Sequence, residues 1–161
     1  MARLIAGLVL ALESAAFAGD LVGQASVVDG DTLKFKEPAF EYLGSMLQSP
    51  TSFCRNDESG RYRCGQKSSN ALFGSIDRRL VDCVEVDHDR YGRAVSVCIV
   101  GGTNVGDWLV RNGVALDWPR YRKGGYAGAQ ANATREQRGI WAGSFKEPWN
   151  YRVCRQLARS F

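Results

Sequence analysis

The spacing of the five cysteines indicates which chemistry they can undergo. Cys54 and Cys64 flank the polar stretch RNDESGRYR, which is typical of a surface loop that a disulfide could close. Cys83 and Cys98 stand in two strand-like runs, VDCVEV and AVSVCIV, which the turn-like DHDRYGR separates. Opposed residues of a β-hairpin can lie within bridging distance. The spacing therefore predicts two local disulfides, Cys54–Cys64 and Cys83–Cys98.

A fifth cysteine, Cys154, has no predicted partner. Metal binding is the alternative use of the thiols, since Zn²⁺ is held by closely spaced cysteine and histidine residues. The sequence has no C-x-x-C, and its single histidine is His88. We therefore expect disulfides rather than a zinc site.

The beginning of the chain has the features of a secretory signal peptide. Arg3 supplies a short positive region, Leu4 to Leu12 an apolar run, and Ala16-Phe17-Ala18 a cleavage signal. The apolar run is too short to span a bilayer, and Glu13 interrupts it. We predict a signal peptide at residues 1–18 and a mature domain at residues 19–161, secreted or periplasmic, where thiols tend to pair.

A short aromatic and basic segment, WPRYRK (residues 118–123), could contact a single-stranded nucleic acid. Its rings belong to Trp118 and Tyr121, and the other members include Arg120, Arg122 and Lys123. The same rings could equally pack against the body of the domain, and the sequence leaves both interpretations open. The net charge of +4 is the same with or without the signal peptide, and it is compatible with a polyanionic partner without requiring one.

Alternating apolar residues predict the strands that would position these groups. Residues 20–35 contain an apolar run, an Asp29-Gly30 turn and a second alternating run, which is the pattern of a β-hairpin. The two cysteine-bearing runs predict a second hairpin. Short strands followed by inserted and appended helices indicate an α+β domain that is mainly β.

Three helices are predicted. The first starts near Lys67 and carries apolar residues at helical spacing up to Leu80. The second is capped by Asn104 and terminated by Gly113. The third covers residues 127–138, which are rich in Ala and Gln. Beyond it, the aromatic tail is expected to pack back on the domain.

Several short motifs cover most of the mature chain in a fixed order. They are VVDGDTL (27–33), CGQK (64–67), DRYGRAV (89–95), NVGDWLVRNGVAL (104–116) and RGIWAGSF (138–145). Together they resemble the staphylococcal nuclease family, although any one of them would be a weak signal alone. The resemblance implies a five-stranded Greek-key barrel of the OB fold with about three helices.

The resemblance also implies calcium-assisted hydrolysis of phosphodiester bonds in DNA and RNA. In that chemistry carboxylates hold the cation, a glutamate orients or activates water, and two arginines stabilise charge in the transition state. Asp31 matches a metal ligand, Arg93 matches a catalytic arginine, and Arg90 and Tyr91 match contacts to nucleotide phosphate. From the residues alone, the DGD and DRYGR segments could be hairpin turns, and the turns could serve both purposes.

The segment that should supply the rest of the site departs from the family pattern. The family reads like IRLxGIDAPES there, whereas this chain has FEYLGSMLQSP from Phe40 to Pro50. By position, Glu41 replaces an arginine, Met46 a metal-binding aspartate and Ser49 the glutamate. We therefore expect calcium binding and catalysis to be impaired in the sequence as written.

The genetic code offers an origin for this block. If the codons for Phe40 to Phe53 are read one base out of step, permitted codon choices spell RILGIDAPESDQL, with the arginine over Glu41. That string is the family motif in register. We hypothesise two compensating frameshifts that bracket residues 36–53.

Two classes of function follow from these residues. The first is a secreted calcium-dependent nuclease by descent, inactive or weak in this sequence. The second is a non-catalytic OB-fold module that binds nucleic acid or another ligand through Arg90, Tyr91, Trp118, Arg120, Tyr121, Arg122 and Lys123. Both predict DNA or RNA as the partner, no membrane attachment after signal cleavage, and a monomer. A role in exported polysaccharide pathways is a third possibility that no residue supports independently.

Overall fold

Short strands and four α-helices make up the structure, a computed structural model that describes residues 21–29, 31–35, 40–42, 45–47, 52–89, 92–118 and 123–157. The mixed α+β class, with mostly strands, is confirmed. The predicted signal peptide at residues 1–18 lies outside the described residues. The strands are β1 (Leu21–Gln24), β2 (Ser26–Asp29), β3 (Thr32–Lys34), β4 (Phe40–Tyr42), β5 (Ser45–Leu47), β6 (Cys54–Arg55), β7 (Arg61–Tyr62), β8 (Leu80–His88), β9 (Ala94–Val100), β10 (Thr103–Asn104) and β11 (Ala115–Asp117). The helices are α1 (Cys64–Ile76), α2 (Val105–Arg111), α3 (Ala127–Arg135) and α4 (Pro148–Leu157), with a 3-10 turn at Gly139–Ala142.

The main sheet has the strand order β1-β8-β9-β4-β3-β2, and β10 also pairs with β9. These pairs are antiparallel except for β4 with β9, which is parallel. The β8–β9 pair places Cys83 opposite Cys98, and the β2–β3 pair places Val27 opposite Leu33. Both predicted hairpins are therefore confirmed.

The two ends of this sheet are formed by neighbouring pieces of the chain. β1 and β2 occupy opposite ends of the strand order, although only Ala25 separates them in sequence. This arrangement is compatible with the predicted Greek-key barrel. The strand pairing does not establish that five strands close into a barrel, and this closure stays a prediction.

Both predicted disulfides are present. Cys83–Cys98 joins facing residues of β8 and β9, whose Cα atoms lie 4.1 Å apart. Cys54–Cys64 joins β6 to the first residue of α1, with 5.6 Å between the Cα atoms. Cys154 is free and exposed on α4.

Two apolar clusters form the core of the described residues. The larger one lies between the main sheet and helices α1, α2 and α3, and its members include Leu33, Leu72, Val81, Leu109 and Ala129. The smaller one is built around the Cys54–Cys64 bridge with Leu116 and Ile140, and it is covered by Trp141, Phe145 and Trp149. The aromatic tail thus packs back on the domain, as predicted.

Helix α1 ends before the point that the apolar spacing indicates. Its last residue is Ile76, whereas Leu80 begins β8 and is exposed. Asp77 and Arg78 adopt positive φ angles of 32° and 57°, which end the right-handed path of a helix. The prediction that Leu80 lies on the helix is therefore wrong.

Helix α2 begins and ends with the residues predicted. The Asn104 side-chain oxygen accepts a hydrogen bond of 3.0 Å from the N–H of Asp107, which is N-capping geometry. Gly113 has a φ of 65°, and its N–H donates to the carbonyl of Val110 over 2.9 Å. Such a left-handed residue after the last turn is usually glycine.

Among the described residues, the C-terminal helix α4 is a fourth helix, where about three were expected. It begins at Pro148, and proline suits a first turn because its missing N–H would be unpaired there. In the described part of the chain, no helix is both long and apolar enough to cross a membrane.

Candidate functional site

Asp31 lies immediately before β3, in the turn that joins it to β2. The residue is buried, with 4% of its surface exposed. The hydroxyl of Thr32 donates to Asp31 Oδ1 over 3.4 Å. A buried carboxylate requires such partners, because removal from water disfavours its charged form. Asp31 therefore sits at the base of the hairpin turn rather than on a solvated loop tip.

Arg93 is anchored to Asp89, four residues earlier in the chain. Asp89 Oδ2 accepts from Arg93 Nε at 2.7 Å and from Nη2 at 2.6 Å. Asp89 Oδ1 accepts from the backbone N–H of Arg93 at 3.0 Å. Asp89 is 8% exposed, whereas the side chain of Arg93 is 41% exposed. The charge-assisted pair fixes the guanidinium plane at the protein surface.

The turn between β8 and β9 produces this pairing. The N–H of Asp89 donates to the carbonyl of Arg93 at 2.8 Å, and the N–H of Gly92 donates to the carbonyl of Asp89 at 3.0 Å. Gly92 has a φ of 76°, a conformation that glycine adopts without steric cost. Asp89, Gly92 and Arg93 therefore close the hairpin turn between β8 and β9, and that turn also orients Arg93.

Strand β4 lies between the two strands that begin beside Asp31 and Arg93. Glu41 is paired in register with Leu33 of β3 and with Ala94 of β9. Neighbouring strands lie about 4.8 Å apart. Three adjacent strands therefore bring the backbones of positions 31, 41 and 93 into one region of the sheet.

The other predicted site residues are not brought into this region by the described pairing. Met46 belongs to β5, which pairs with β11 outside the main sheet and places Met46 opposite Leu116. Leu116 is a member of the smaller cluster. Trp118 follows β11 and is half-buried. Six predicted residues lie outside the described ones: Ser49, Arg90, Tyr91, Arg120, Tyr121 and Arg122.

The described residues do not fit a calcium ion. Nowhere among them do three or more Asp, Glu, His or Cys side chains come together as a group that could hold a metal. Ca²⁺ takes about six to eight oxygen ligands, several of them usually carboxylates. Asp31 is a single carboxylate, and the family's other ligand position holds Met46.

Asp89 is not among the residues predicted from the sequence. The DRYGR motif places an acid four residues before an arginine, and this spacing is the signal from which the pair could have been predicted. In a loop, however, a spacing of four residues does not by itself bring two side chains together. Only the backbone path of the turn, with Gly92 in the left-handed region, makes Asp89 a positioning residue for Arg93.

Asp89→Asn is expected to lower the free energy of unfolding by about 1–2 kcal/mol, measured by thermal denaturation. Breaking a fully buried ion pair costs about 3–5 kcal/mol, and solvent around Arg93 reduces this value. Asp107→Asn is the matched control, because Asp107 makes a 3.0 Å pair with Arg111 at the same spacing but on the surface. Its expected loss is below about 0.5 kcal/mol. Equal losses in the two variants would contradict the anchoring of Arg93.

Two comparisons with known proteins bear on the family of this chain. A family model described as "Staphylococcal nuclease homologue" matches residues 47–143. The matched range includes Arg93 and begins after Asp31 and Glu41. The chain is also 34% identical over 134 residues to the succinoglycan biosynthesis protein ExoI of Rhizobium meliloti (strain 1021), which covers 82% of this chain and 70% of that protein. The chain therefore belongs to the staphylococcal nuclease homologue family.

Proposed function

We propose that this chain is an exported protein that binds nucleic acid on a nuclease scaffold and hydrolyses phosphodiester bonds at or near background rate. The observation that carries the proposal is the register of β4. It places Glu41, where the family resemblance implies an arginine, directly beside the strand that follows Arg93. A carboxylate-bearing residue thus occupies a position where the resemblance implies an arginine that stabilises transition-state charge.

The proposed loss of hydrolysis follows from three missing groups. The resemblance implies an arginine, an aspartate and a glutamate at positions where this chain has Glu41, Met46 and Ser49. Removing one group that stabilises transition-state charge costs about 10²–10³ in rate, and a missing general base costs about 10²–10⁴. Arg93, held by Asp89, can still bind a phosphate oxygen through its exposed face.

Nucleic-acid binding needs neither the missing glutamate nor a metal. The exposed part of Arg93 and the net charge of +4 favour a polyanion. We propose that DNA or RNA runs across the β3–β4–β9 region, with Arg90, Tyr91 and the WPRYRK segment as further contacts. Calcium is not required for this binding.

The proposed scaffold is a closed five-stranded OB barrel. β1 and β2 flank Ala25 and pair with β8 and β3 respectively, at opposite ends of the main sheet. We propose that residues 21–29 act as one bent strand that closes the barrel, as in OB folds.

Export is proposed from residues 1–18, which have the features of a cleaved signal peptide. Two disulfides in the structure are compatible with an oxidising compartment. The mature protein, residues 19–161, is proposed to be a secreted or periplasmic monomer.

A polysaccharide-related function is the second candidate. It is favoured by one observation, the similarity to a protein named for succinoglycan biosynthesis. No described residue points independently to a sugar ligand. Direct comparison of a nucleic acid with a polysaccharide as ligand therefore decides between the two candidates.

Purified protein, residues 19–161, tests the proposed function in two assays. With calcium and plasmid DNA, we expect cleavage no faster than in a buffer control. With fluorescein-labelled single-stranded DNA, we expect binding whose affinity falls steeply with salt. Calcium-dependent cleavage would contradict the proposed loss of hydrolysis, and an absence of DNA binding would contradict the proposed ligand.

A further inference from the structure

A basic groove separates the disulfide-closed hairpin β6–β7 from the C-terminal segment. Its volume is about 690 Å³. On the hairpin side it is lined by Phe53, Cys54, Arg55 and Arg61, and on the other side by Ser144, Phe145, Lys146 and Tyr151. The lining residues in the described part of the chain thus include three cations and no carboxylate.

An arginine and an aromatic ring are stacked on the hairpin side of this groove. The guanidinium of Arg61 lies 4.0 Å from the centre of the Phe53 ring, and that of Arg63 lies 6.0 Å from it. The ring is 43% exposed. Among the described side chains, no carboxylate forms an ion pair with Arg61 or Arg63. Both cations are therefore available to an external anion.

Backbone contacts hold the two walls together. The N–H of Arg55 donates to the carbonyl of Ser144 at 2.9 Å, and the N–H of Ser144 donates to the carbonyl of Arg55 at 3.1 Å. Gly143 permits this approach, because a Cβ there would lie 2.1 Å from the Arg55 oxygen. The Cys54–Cys64 bridge joins the hairpin to α1. The groove is therefore formed before any ligand binds.

Acidic side chains near the groove form hydrogen bonds elsewhere or lie in the hairpin turn. Asp57 and Glu58 lie in the turn at the tip of the hairpin, where Asp57 Oδ1 accepts from the N–H of Glu58 at 3.1 Å. Glu147 follows Lys146 and accepts a 2.8 Å hydrogen bond from Asn150. Neither arrangement places a carboxylate among the residues that line the groove.

We propose that this groove binds single-stranded nucleic acid, with Arg55, Arg61 and Lys146 on the phosphates and a base stacked at Phe53. Exposed rings between cations are the combination that holds single strands without sequence preference. An acidic polysaccharide would use the cations but gains less from a stacked ring and guanidinium. The proposal rests on the proposed function for its ligand class, and it adds a binding surface outside the β3–β4–β9 region.

Anisotropy titrations with a fluorescein-labelled oligothymidylate of about 12 nucleotides test the proposal over a range of salt concentrations. Arg61→Gln is expected to raise Kd about 3- to 10-fold and to reduce the slope of log Kd against log salt by about 0.7, the value for one lost phosphate contact on a single strand. Phe53→Ala is expected to raise Kd about fivefold or more with an unchanged slope, because it removes stacking alone.

Arg135→Gln is the control for net charge, since Arg135 is a highly exposed arginine on α3 outside the groove. It is expected to change Kd less than twofold. Thermal denaturation verifies that each variant is folded, and Arg61→Gln alone carries the test if Phe53→Ala does not fold.

Three outcomes would overturn the proposal. If the wild type binds the oligonucleotide and neither groove variant weakens binding, the groove is not the site, although the proposed function stands. If the wild type does not bind at all, the proposed function fails together with the groove. If Arg61→Gln weakens binding of polygalacturonate while the oligonucleotide is not bound, the groove takes an acidic polysaccharide instead.

Discussion

A chain in which residues 41–53 are replaced by RILGIDAPESDQL is expected to cleave DNA with calcium at least about 10⁴-fold faster than the unaltered chain. The replacement keeps the chain length and includes Glu41→Arg, Met46→Asp and Ser49→Glu. It restores in one step the groups that the family resemblance implies for charge stabilisation, cation binding and water activation. A discontinuous rate assay on supercoiled plasmid, with and without EDTA, measures the effect.

The physical reason lies in the register of the sheet. Position 41 is flanked by Leu33 and Ala94, so Glu41→Arg brings a second cation to the strand beside Arg93. Position 46 is opposite Leu116 in the β5–β11 pair, outside the main sheet, and Met46→Asp supplies the second metal-binding carboxylate that the family resemblance implies. Two carboxylates satisfy the needs of a hard cation better than one.

Arg93→Gln in the replaced chain is the control for mechanism. It is expected to reduce the calcium-dependent rate by about 10²–10³. Because it also takes the guanidinium away from the buried Asp89 carboxylate, thermal denaturation verifies that the variant is folded at the assay temperature. A folded replaced chain that shows no calcium-dependent cleavage would contradict the view that residues 41–53 alone account for the missing activity.

The nucleotide sequence of the gene tests the origin of the block. If it arose by two compensating frameshifts, codons 40 to 53 spell RILGIDAPESDQL one base out of step. Any other shifted reading excludes that origin, and Glu41, Met46 and Ser49 are then ordinary substitutions. The cations of the groove do not depend on the answer, because Arg55, Arg61 and Lys146 lie beyond the altered block, whereas Phe53 is the last residue of that block.

Much of the fold follows from local patterns in the sequence. The hairpin signal around Asp29-Gly30, the facing cysteines of β8 and β9, and the Asn104 cap each depend on residues close in sequence, and each is present in the structure. Short-range hydrogen bonds and side-chain alternation determine these features. Such features are therefore predictable without knowledge of the tertiary contacts.

Other features depend on contacts that no local pattern encodes. Leu80 fits the spacing of α1 but is drawn into β8, because its partner strand β1 pairs it with Gln24. Helix α4 packs through Trp149 on the smaller cluster, whose buried members come from distant parts of the chain. The role of Asp89 depends on the turn that folds it onto Arg93. Long-range pairing overrides local propensity in each case.

Gly113→Ala is expected to lower the free energy of unfolding by about 3 kcal/mol or more, and the melting temperature by roughly 10 °C. Two costs combine. Gly113 has a φ of 65°, which costs a residue with a Cβ about 1–2 kcal/mol. A Cβ would also lie 2.0 Å from the carbonyl oxygen of Arg138, so the backbone of one segment must move.

The close contact between Gly113 at the end of α2 and residues 138–139 leads to a second prediction, at Gly139. Its φ is 58°, and a Cβ there would lie 2.2 Å from the carbonyl oxygen of Gly113. That carbonyl accepts a 2.9 Å hydrogen bond from the N–H of Ile140, a buried member of the smaller cluster. Gly139→Ala is therefore expected to destabilise the protein to a similar degree, because both variants separate the end of α2 from the C-terminal segment.

Gly128→Ala is the matched control, since a Cβ at Gly128 in α3 would meet no atom within 4 Å. Alanine is the better helix former, so this variant is expected to gain about 0.5–1 kcal/mol. A loss of stability in Gly113→Ala together with a gain in Gly128→Ala would show that close backbone packing at Gly113, and not the replacement of glycine in general, causes the loss. If Gly113→Ala melts within about 2 °C of the wild type, less than the shift that 1 kcal/mol produces, the C-terminal segment does not cross α2 as closely as the structure shows. The groove wall at Ser144, a few residues further along the same segment, would then be less firmly placed than its pairing with Arg55 indicates.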